Sequence, residues 1–77
     1  NKTNSNTQDQ EIQELAAKTL DYLSVTPENQ TLICYTEDIL YSIIRLLHNT
    51  KSVDAKKHAL QALIYLSSNP KNVYVTN

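Results

Sequence analysis

Glycine is absent from the 77-residue chain, and its absence excludes several kinds of functional site. Phosphate-binding loops, dinucleotide-binding fingerprints and nucleophile elbows place glycine where the backbone approaches a ligand or takes an unusual conformation. Tight two-residue hairpins also favour glycine, so a β-meander is not expected. Because no arrangement of a nucleophile beside a base is evident either, we predict that the chain is not an enzyme.

Cysteine is also scarce, since Cys34 is the only one and no disulfide can form within the chain. A lone cysteine is typical of a reducing compartment, so we expect an intracellular location, cytoplasmic or nuclear. Cys34, His48 and His58 do not stand at a recognised metal-ligand spacing. We therefore predict neither a metal nor another cofactor. Long apolar runs are missing too, so no membrane span is expected.

Charge of one sign does not dominate, because seven Lys and Arg face eight Asp and Glu and the net charge is −1. This balance argues against nucleic acid or membrane surfaces as the main partner. A small basic cluster, formed by Lys51, Lys56, Lys57 and His58, leaves open a weak contact between the segment Lys51–Lys57 and nucleic acid or anionic lipid. The ordinary interpretation of such a cluster is a solvated helix face.

The remaining pattern is helical from residue 10 onward. Residues 1–9 hold no strongly apolar side chain and predict a disordered lead-in, and the start at Asn1 indicates a piece of a longer chain. Apolar residues then recur at three- and four-residue steps. The expected helices are 9–25, 27–35, 37–49, 52–67 and one that begins at 70, so residues 10–77 form one helical segment.

The apolar positions of these helices predict the core. In the first helix one stripe comprises Ile12, Leu15, Ala16, Thr19, Leu20 and Leu23. In the second helix Leu32 and Ile33 are expected to point inward, and the third helix has an apolar face wide enough to need cover on more than one side. In the fourth helix the expected buried side comprises Val53, Ala55, Ala59, Ala62, Leu63 and Leu66.

The chain also repeats itself. "LDYLS" at 20–24 returns as "LIYLS" at 63–67, and "PENQ" at 27–30 returns as "PKNV" at 70–73, both at an offset of 43 residues. Armadillo and HEAT units have about this length. A unit of this size cannot bury its apolar face alone, so stacked units share one core.

The segment "EIQELAAKTLDYLSVTPENQTLICYTEDILYSIIRLLHN" resembles an armadillo repeat, and "DAKKHALQALIYLSSNPKNV" resembles the beginning of the next. HEAT repeats share the period and remain the alternative. The resemblance implies an all-α, right-handed α-solenoid of about one and a half repeats. Armadillo units usually have a glycine between their first and second helices, which here are the expected helices 27–35 and 37–49. This chain has "CYTEDI" at that place instead, so we expect Thr36 or Glu37 to make the turn.

The resemblance also implies a groove lined by the third helix of each unit, which here means the helices 9–25 and 52–67. Lys18 and Gln61 occupy the position of the tryptophans of importin-type members, and Tyr22 and Tyr65 that of the asparagines, so binding of nuclear localisation signals is not implied. The candidate groove residues for an extended peptide or protein partner are Glu14, Lys18, Tyr22, Lys57, Gln61 and Tyr65. The two tyrosines either anchor a partner or pack on neighbouring helices.

Two functions follow from this organisation. The first is a protein–protein interaction scaffold, a segment of a larger protein within a multisubunit assembly. The second is a purely structural spacer or capping layer of a longer solenoid, whose apolar ends meet the other repeats of the parent chain.

Overall fold

The computed structural model describes residues 2–72, which form four α-helices followed by a short 3-10 turn and contain no strand. The predicted all-α class is therefore confirmed for these residues. The helix expected from residue 70 begins as the 3-10 turn, and its continuation beyond Asn72 lies outside the described residues, as does residue 1 of the lead-in. The elements are α1 (Lys2–Leu23), α2 (Pro27–Cys34), α3 (Ile39–Asn49), α4 (Val53–Ser67) and the turn Pro70–Asn72.

Residues 2–9, for which the composition predicts a disordered lead-in, belong to the first turns of α1. Helix α1 begins at Lys2 and runs without interruption through residue 9. Neither glycine nor proline occurs before Pro27 to stop the helix. Once packing has nucleated the C-terminal part of a helix, each further residue adds a hydrogen bond at low cost. The amino-acid composition of a segment does not show how far a neighbouring helix propagates into it.

The helix boundaries follow from caps, one proline and one unusual backbone angle. Pro27 opens α2, and Ser52 caps α4 by accepting a hydrogen bond from the Ala55 backbone N–H at 3.1 Å. Thr26 precedes α2 but makes no side-chain cap bond. The turn before α3 is made by Asp38, with φ of 65°, rather than by Thr36 or Glu37. Aspartate is one of the few residues other than glycine that enter this left-handed region.

The core forms where α1, α3 and α4 meet, and α1 packs mainly against α4. Small side chains dominate on α4, which lets the two helix backbones approach closely. Contacts advance in the same direction along both helices, from Glu14 with Ser52 at the cap of α4 to Asp21 with His58, so the helices run parallel. The buried cluster comprises Ala17, Ile43, Ala55, Ala59 and Leu66, with Leu20, Ile33, Ile39, Leu40, Leu46, Leu47 and Leu63 packed against it.

The apolar stripe predicted for α1 is mostly on the surface. Ile12 and Leu15 are 64% and 65% exposed, and only Leu20 of that stripe packs against the core. The buried residue of α1 is instead Ala17, and Ser24, which follows the helix directly, is buried as well. Periodicity identifies a face that needs cover, but it cannot show whether this chain supplies the cover.

In the other helices the predicted core is partly confirmed. Ala55, Ala59, Ala62 and Leu66 are buried on α4, Leu63 packs at the margin of the core, and Ile43 is buried on α3. The prediction was wrong for Val53 and Leu32, which are exposed, and Ile44 is also more than half exposed. Ile33 does pack on the core, and Gln30 and Cys34 occupy the buried side of α2.

A buried network of amides joins the 3-10 turn to α2. The Gln30 side-chain nitrogen donates to the Ser24 carbonyl at 2.8 Å, and Asn69 donates to the Gln30 side-chain oxygen at 3.0 Å. The Asn72 amide donates to the backbone carbonyls of Leu66 at 2.9 Å and Gln30 at 3.2 Å. The network thus unites the two sequence segments that repeat, "PENQ" and "PKN".

Candidate functional site

A groove of about 370 Å³ lies between α1 and α4. Residues at i, i+3, i+4 and i+7 of a helix share one face, and four residues of α1 with this spacing line one wall of the groove. The opposite wall comes from the first half of α4, where two residues one turn apart face inward. The lining residues are Glu11, Glu14, Leu15 and Lys18 on α1, and Asp54 and His58 on α4.

The cap of α4 fixes one end of the groove. The Ser52 hydroxyl, which caps α4, also donates to the Glu14 carboxylate at 2.6 Å. Beside it, the Thr50 hydroxyl donates to the Gln13 side-chain oxygen at 2.6 Å and accepts from the Ser52 backbone N–H at 3.1 Å. A hydrogen bond to a carboxylate is stronger than one between neutral groups. Glu14 is therefore held in place by the same residue that starts the neighbouring helix.

The other end is held by a histidine and an aspartate. Nδ1 of His58 lies 2.7 Å from the Asp21 carboxylate, and both side chains are partly buried. The Tyr22 ring meets the His58 ring edge-on, with centroids 6.5 Å apart, and the Lys18 ammonium lies 5.7 Å from the centre of the Tyr22 ring. These contacts form a continuous line from α4 across to the exposed surface of α1.

The groove is acidic. Its lining carries three carboxylates, from Glu11, Glu14 and Asp54, against one ammonium group from Lys18. His58 adds a positive charge only when it is protonated. Such a lining favours approach of cationic side chains and disfavours acidic ones, because complementary potentials steer encounter and reject like charges.

The six residues proposed from the sequence divide into two groups. Glu14 and Lys18 line the groove, and Tyr22 lies beside it with its ring on His58. On α4, Lys57 is exposed, whereas Gln61 and Tyr65 are partly buried, and these positions are not among the groove lining. The described ring contacts pair Tyr22 with His58 and not with Tyr65.

The sequence reasoning did not propose Glu11, Leu15, Asp54 or His58 as groove residues. A usable signal was present, because the offset of 43 residues relates Glu11 to Asp54 and Leu15 to His58. The basic cluster is also divided by the fold. His58 turns toward Asp21, while Lys51 lines a separate cleft together with Asp9.

Cys34 is a structural residue rather than a reactive one. It is a free thiol in the buried side of α2, and burial raises its pKa above the ordinary value. A raised pKa lowers the fraction of thiolate at neutral pH, and the thiolate is the nucleophile and the metal ligand. Among the described residues, no three His, Cys, Asp or Glu side chains gather as a metal-binding group.

Removing the Ser52 hydroxyl is expected to destabilise the fold by about 1–3 kcal/mol, since Ser52→Ala loses both the cap of α4 and the hydrogen bond to Glu14. Urea unfolding followed by circular dichroism measures the change. Ser42→Ala, at an exposed position of α3, is the matched control and is expected to stay within about 0.5 kcal/mol of the wild type. Equal losses in the two variants would contradict this role for Ser52.

Comparison of the chain with protein-family models, curated proteins and solved structures found no significant match. Within the described part of the chain, no helix combines the length and the apolar content that crossing a membrane requires.

Proposed function

We propose that this chain is an armadillo-like repeat segment that binds other proteins and serves as a scaffold in a multisubunit assembly, without catalysis. The offset of 43 residues makes α1 and α4 equivalent helices of successive units, and these two helices pack in parallel. A right-handed solenoid is the arrangement that repeats of this length adopt. The single free, buried Cys34 agrees with the proposed intracellular location, cytoplasmic or nuclear.

The observation that carries the proposal is the acidic groove between α1 and α4. Its walls are fixed by the bonds from Ser52 to Glu14 and from His58 to Asp21, so little ordering would be needed on binding. Preorganisation of this kind favours affinity. Glu11 and Asp54 are exposed and face the groove from opposite helices, where they can contact a partner directly.

The chemistry of the groove points to a partner segment with Lys or Arg side chains. A cation between Glu11 and Asp54 would find a carboxylate on either side, and the Tyr22 ring offers an exposed aromatic surface beside them. Tyrosine is enriched among residues that dominate interface energies. Lys18 lies over that ring and limits the space for a second cation.

Neutralising the two exposed groove carboxylates together tests this function. Glu11→Gln with Asp54→Asn keeps the shape of both side chains and removes two negative charges. We expect retention on an array of Lys- and Arg-containing extended peptides to fall by about tenfold or more, because charge-assisted contacts are lost. Fluorescence anisotropy of the best-bound peptide, at two salt concentrations, measures the affinity, and circular dichroism verifies the fold.

The matched control is Glu37→Gln, which removes one exposed carboxylate in the connection between α2 and α3, away from the groove. It is expected to leave peptide binding unchanged. A Tyr22→Ala variant should weaken binding without changing its salt dependence, because an aromatic contact is not screened by ions. If the double variant binds peptides as tightly as the wild type, the groove is not the recognition surface.

The structural role remains the second candidate, and the exposed apolar side chains of α1 favour it. Ile12 and Leu15 lie on a face that the described part of the chain leaves exposed. A spacer or capping layer of a longer solenoid would bury them against neighbouring units. Under this alternative, the groove variants would leave all peptide retention unaffected.

A further inference from the structure

Within residues 2–72, the two long helices leave opposite apolar faces without cover. The α1 outer face consists of Ile12, Leu15, Ala16 and Leu23, and all four residues are exposed. The α4 outer face consists of Leu60, Leu63 and Ile64. Leu60 is 48% exposed and Ile64 is 58% exposed.

The α4 outer face forms one side of an apolar groove. This groove has a volume of about 400 Å³, and Leu40 and Ile44 of α3 form its other side. Apolar side chains grouped in this way, rather than scattered singly, indicate an interaction surface.

The offset of 43 residues relates these faces to the interface already inside the chain. Helix α4 buries Ala55, Ala59 and Leu66 in the core, and the equivalent α1 positions are Ile12, Ala16 and Leu23 of the α1 outer face. The same offset applies in the other direction. Residues 17, 20 and 21 of α1 face α4, and their equivalents are Leu60, Leu63 and Ile64.

Where a residue of the internal interface differs from its equivalent on an outer face, its contact partner differs in a matching way. Inside the chain His58 meets Asp21, and the equivalent positions on the two outer faces are Leu15 and Ile64, an apolar pair. A polar contact is thus replaced by an apolar one on both sides at once.

A second polar contact is replaced by a pair of opposite charges. Inside the chain Ser52 meets Glu14, and the equivalent outer positions are Asp9 and Lys57, which are both exposed. Apolar character and charge therefore match across the two outer faces.

We infer that a second copy of this chain docks its α1 outer face on the α4 outer face of the first, in the geometry by which α4 packs on α1. Both faces belong to one chain, so the contact is head to tail and each copy keeps one free face for a further copy. The occupant is a second copy because the complementary residues, Leu15 with Ile64 and Asp9 with Lys57, occur within this one sequence.

The docking would create a second groove at the junction. By the same offset, one wall of this second groove comes from the first copy, where Lys57 and Gln61 correspond to Glu14 and Lys18. The other wall comes from the second copy, where Glu11 and Leu15 correspond to Asp54 and His58. Lys57 and Gln61, which do not line the groove within one chain, would line this second groove. The inference does not depend on the proposed peptide binding.

Sedimentation velocity of the purified 77-residue chain over a range of concentrations is the test. The wild type is expected to grow in mass with concentration. A variant of the α1 outer face, Ile12→Glu with Leu15→Glu, and a variant of the α4 outer face, Leu60→Glu with Ile64→Glu, are each expected to lose association by about tenfold or more, because docking would bury unpaired charges. The exposure of these four positions lets both variants fold, which circular dichroism verifies.

Mixing the two variants distinguishes a head-to-tail contact from every symmetric one. Each variant retains the face that the other has lost, so an equimolar mixture is expected to form a dimer and to stop there. Tyr41→Glu, at an exposed position of α3 outside both faces, is the control and should associate like the wild type.

The charge pair tests the register. Asp9→Lys and Lys57→Asp are each expected to weaken association by about two- to fivefold, and the double variant, in which the charges are exchanged, should recover it. A wild type that stays monomeric at about millimolar concentration overturns the inference, and the outer faces then belong to a different partner. If the wild type associates but the equimolar mixture of the two face variants stays monomeric, the head-to-tail geometry is wrong.

Discussion

Replacing Leu66 by alanine is expected to lower the free energy of unfolding by about 2–5 kcal/mol. Leu66 is 0% exposed and lies in the buried cluster with Ala17, Ile43, Ala55 and Ala59. Leu66 is one of the largest fully buried side chains, so alanine at this position would leave a cavity in the core. Because folded domains of ordinary size are stable by only about 5–15 kcal/mol, the variant should be close to unfolded at room temperature.

The matched control is Leu32→Ala, which makes the same chemical change at a position that is 69% exposed. Its expected change is within about 0.5 kcal/mol. Urea unfolding followed by circular dichroism, at a protein concentration where the chain is monomeric, measures both variants. If Leu66→Ala and Leu32→Ala lose equal stability, the core between α1, α3 and α4 does not stabilise the fold.

Replacing Gln30 by alanine is expected to cost about 1–3 kcal/mol for each buried group that is left without its partner. The side chain accepts from Asn69 and donates to the Ser24 carbonyl, so one substitution removes the link on both sides. The loss should also be local. Because the network ties the turn Pro70–Asn72 to α2, amide hydrogen exchange in residues 68–72 is expected to become faster.

Two further variants make the prediction about Gln30 specific. Gln30→Glu keeps an oxygen for Asn69 but cannot donate to the Ser24 carbonyl, so it is expected to be destabilised as well. Gln8→Ala removes an exposed glutamine of α1 and is expected to change stability by less than about 0.5 kcal/mol. Unchanged exchange in residues 68–72 of Gln30→Ala would show that the turn is held by other contacts.

The helices were the part of the fold that could be predicted from sequence. Periodicity, Pro27 and Ser52 identified α2, α3 and α4 within two residues of their observed bounds. These signals are local, since a cap or a proline acts on the turn that contains it. Helix α1 begins at Lys2, upstream of the start predicted at residue 9, and this extension has no support from apolar side chains.

The candidate site was predictable only in part, because one of its walls depends on how two helices pack. Glu14 and Lys18 were identified because they share one face of α1, but the residues opposite them depend on how α4 is rotated about its axis. That rotation is set by the alanines at 55, 59 and 62, which let one side of α4 approach the core and turn Asp54 and His58 toward the groove. Lys57 and Gln61, which were also proposed from the sequence, are not among the residues that line this groove.

The sequence by itself determined the all-helical class, the order and approximate ends of the helices, and the offset of 43 residues that makes α1 and α4 equivalent. Each of these depends on contacts between residues close together in the chain, or on repetition of the same letters. Only the tertiary structure decided that Ile12 and Leu15 stay exposed, that His58 meets Asp21, and that Asp38 makes the turn. Burial depends on which residues distant in sequence arrive to cover a face, and an apolar pattern states the need for cover without naming what supplies it.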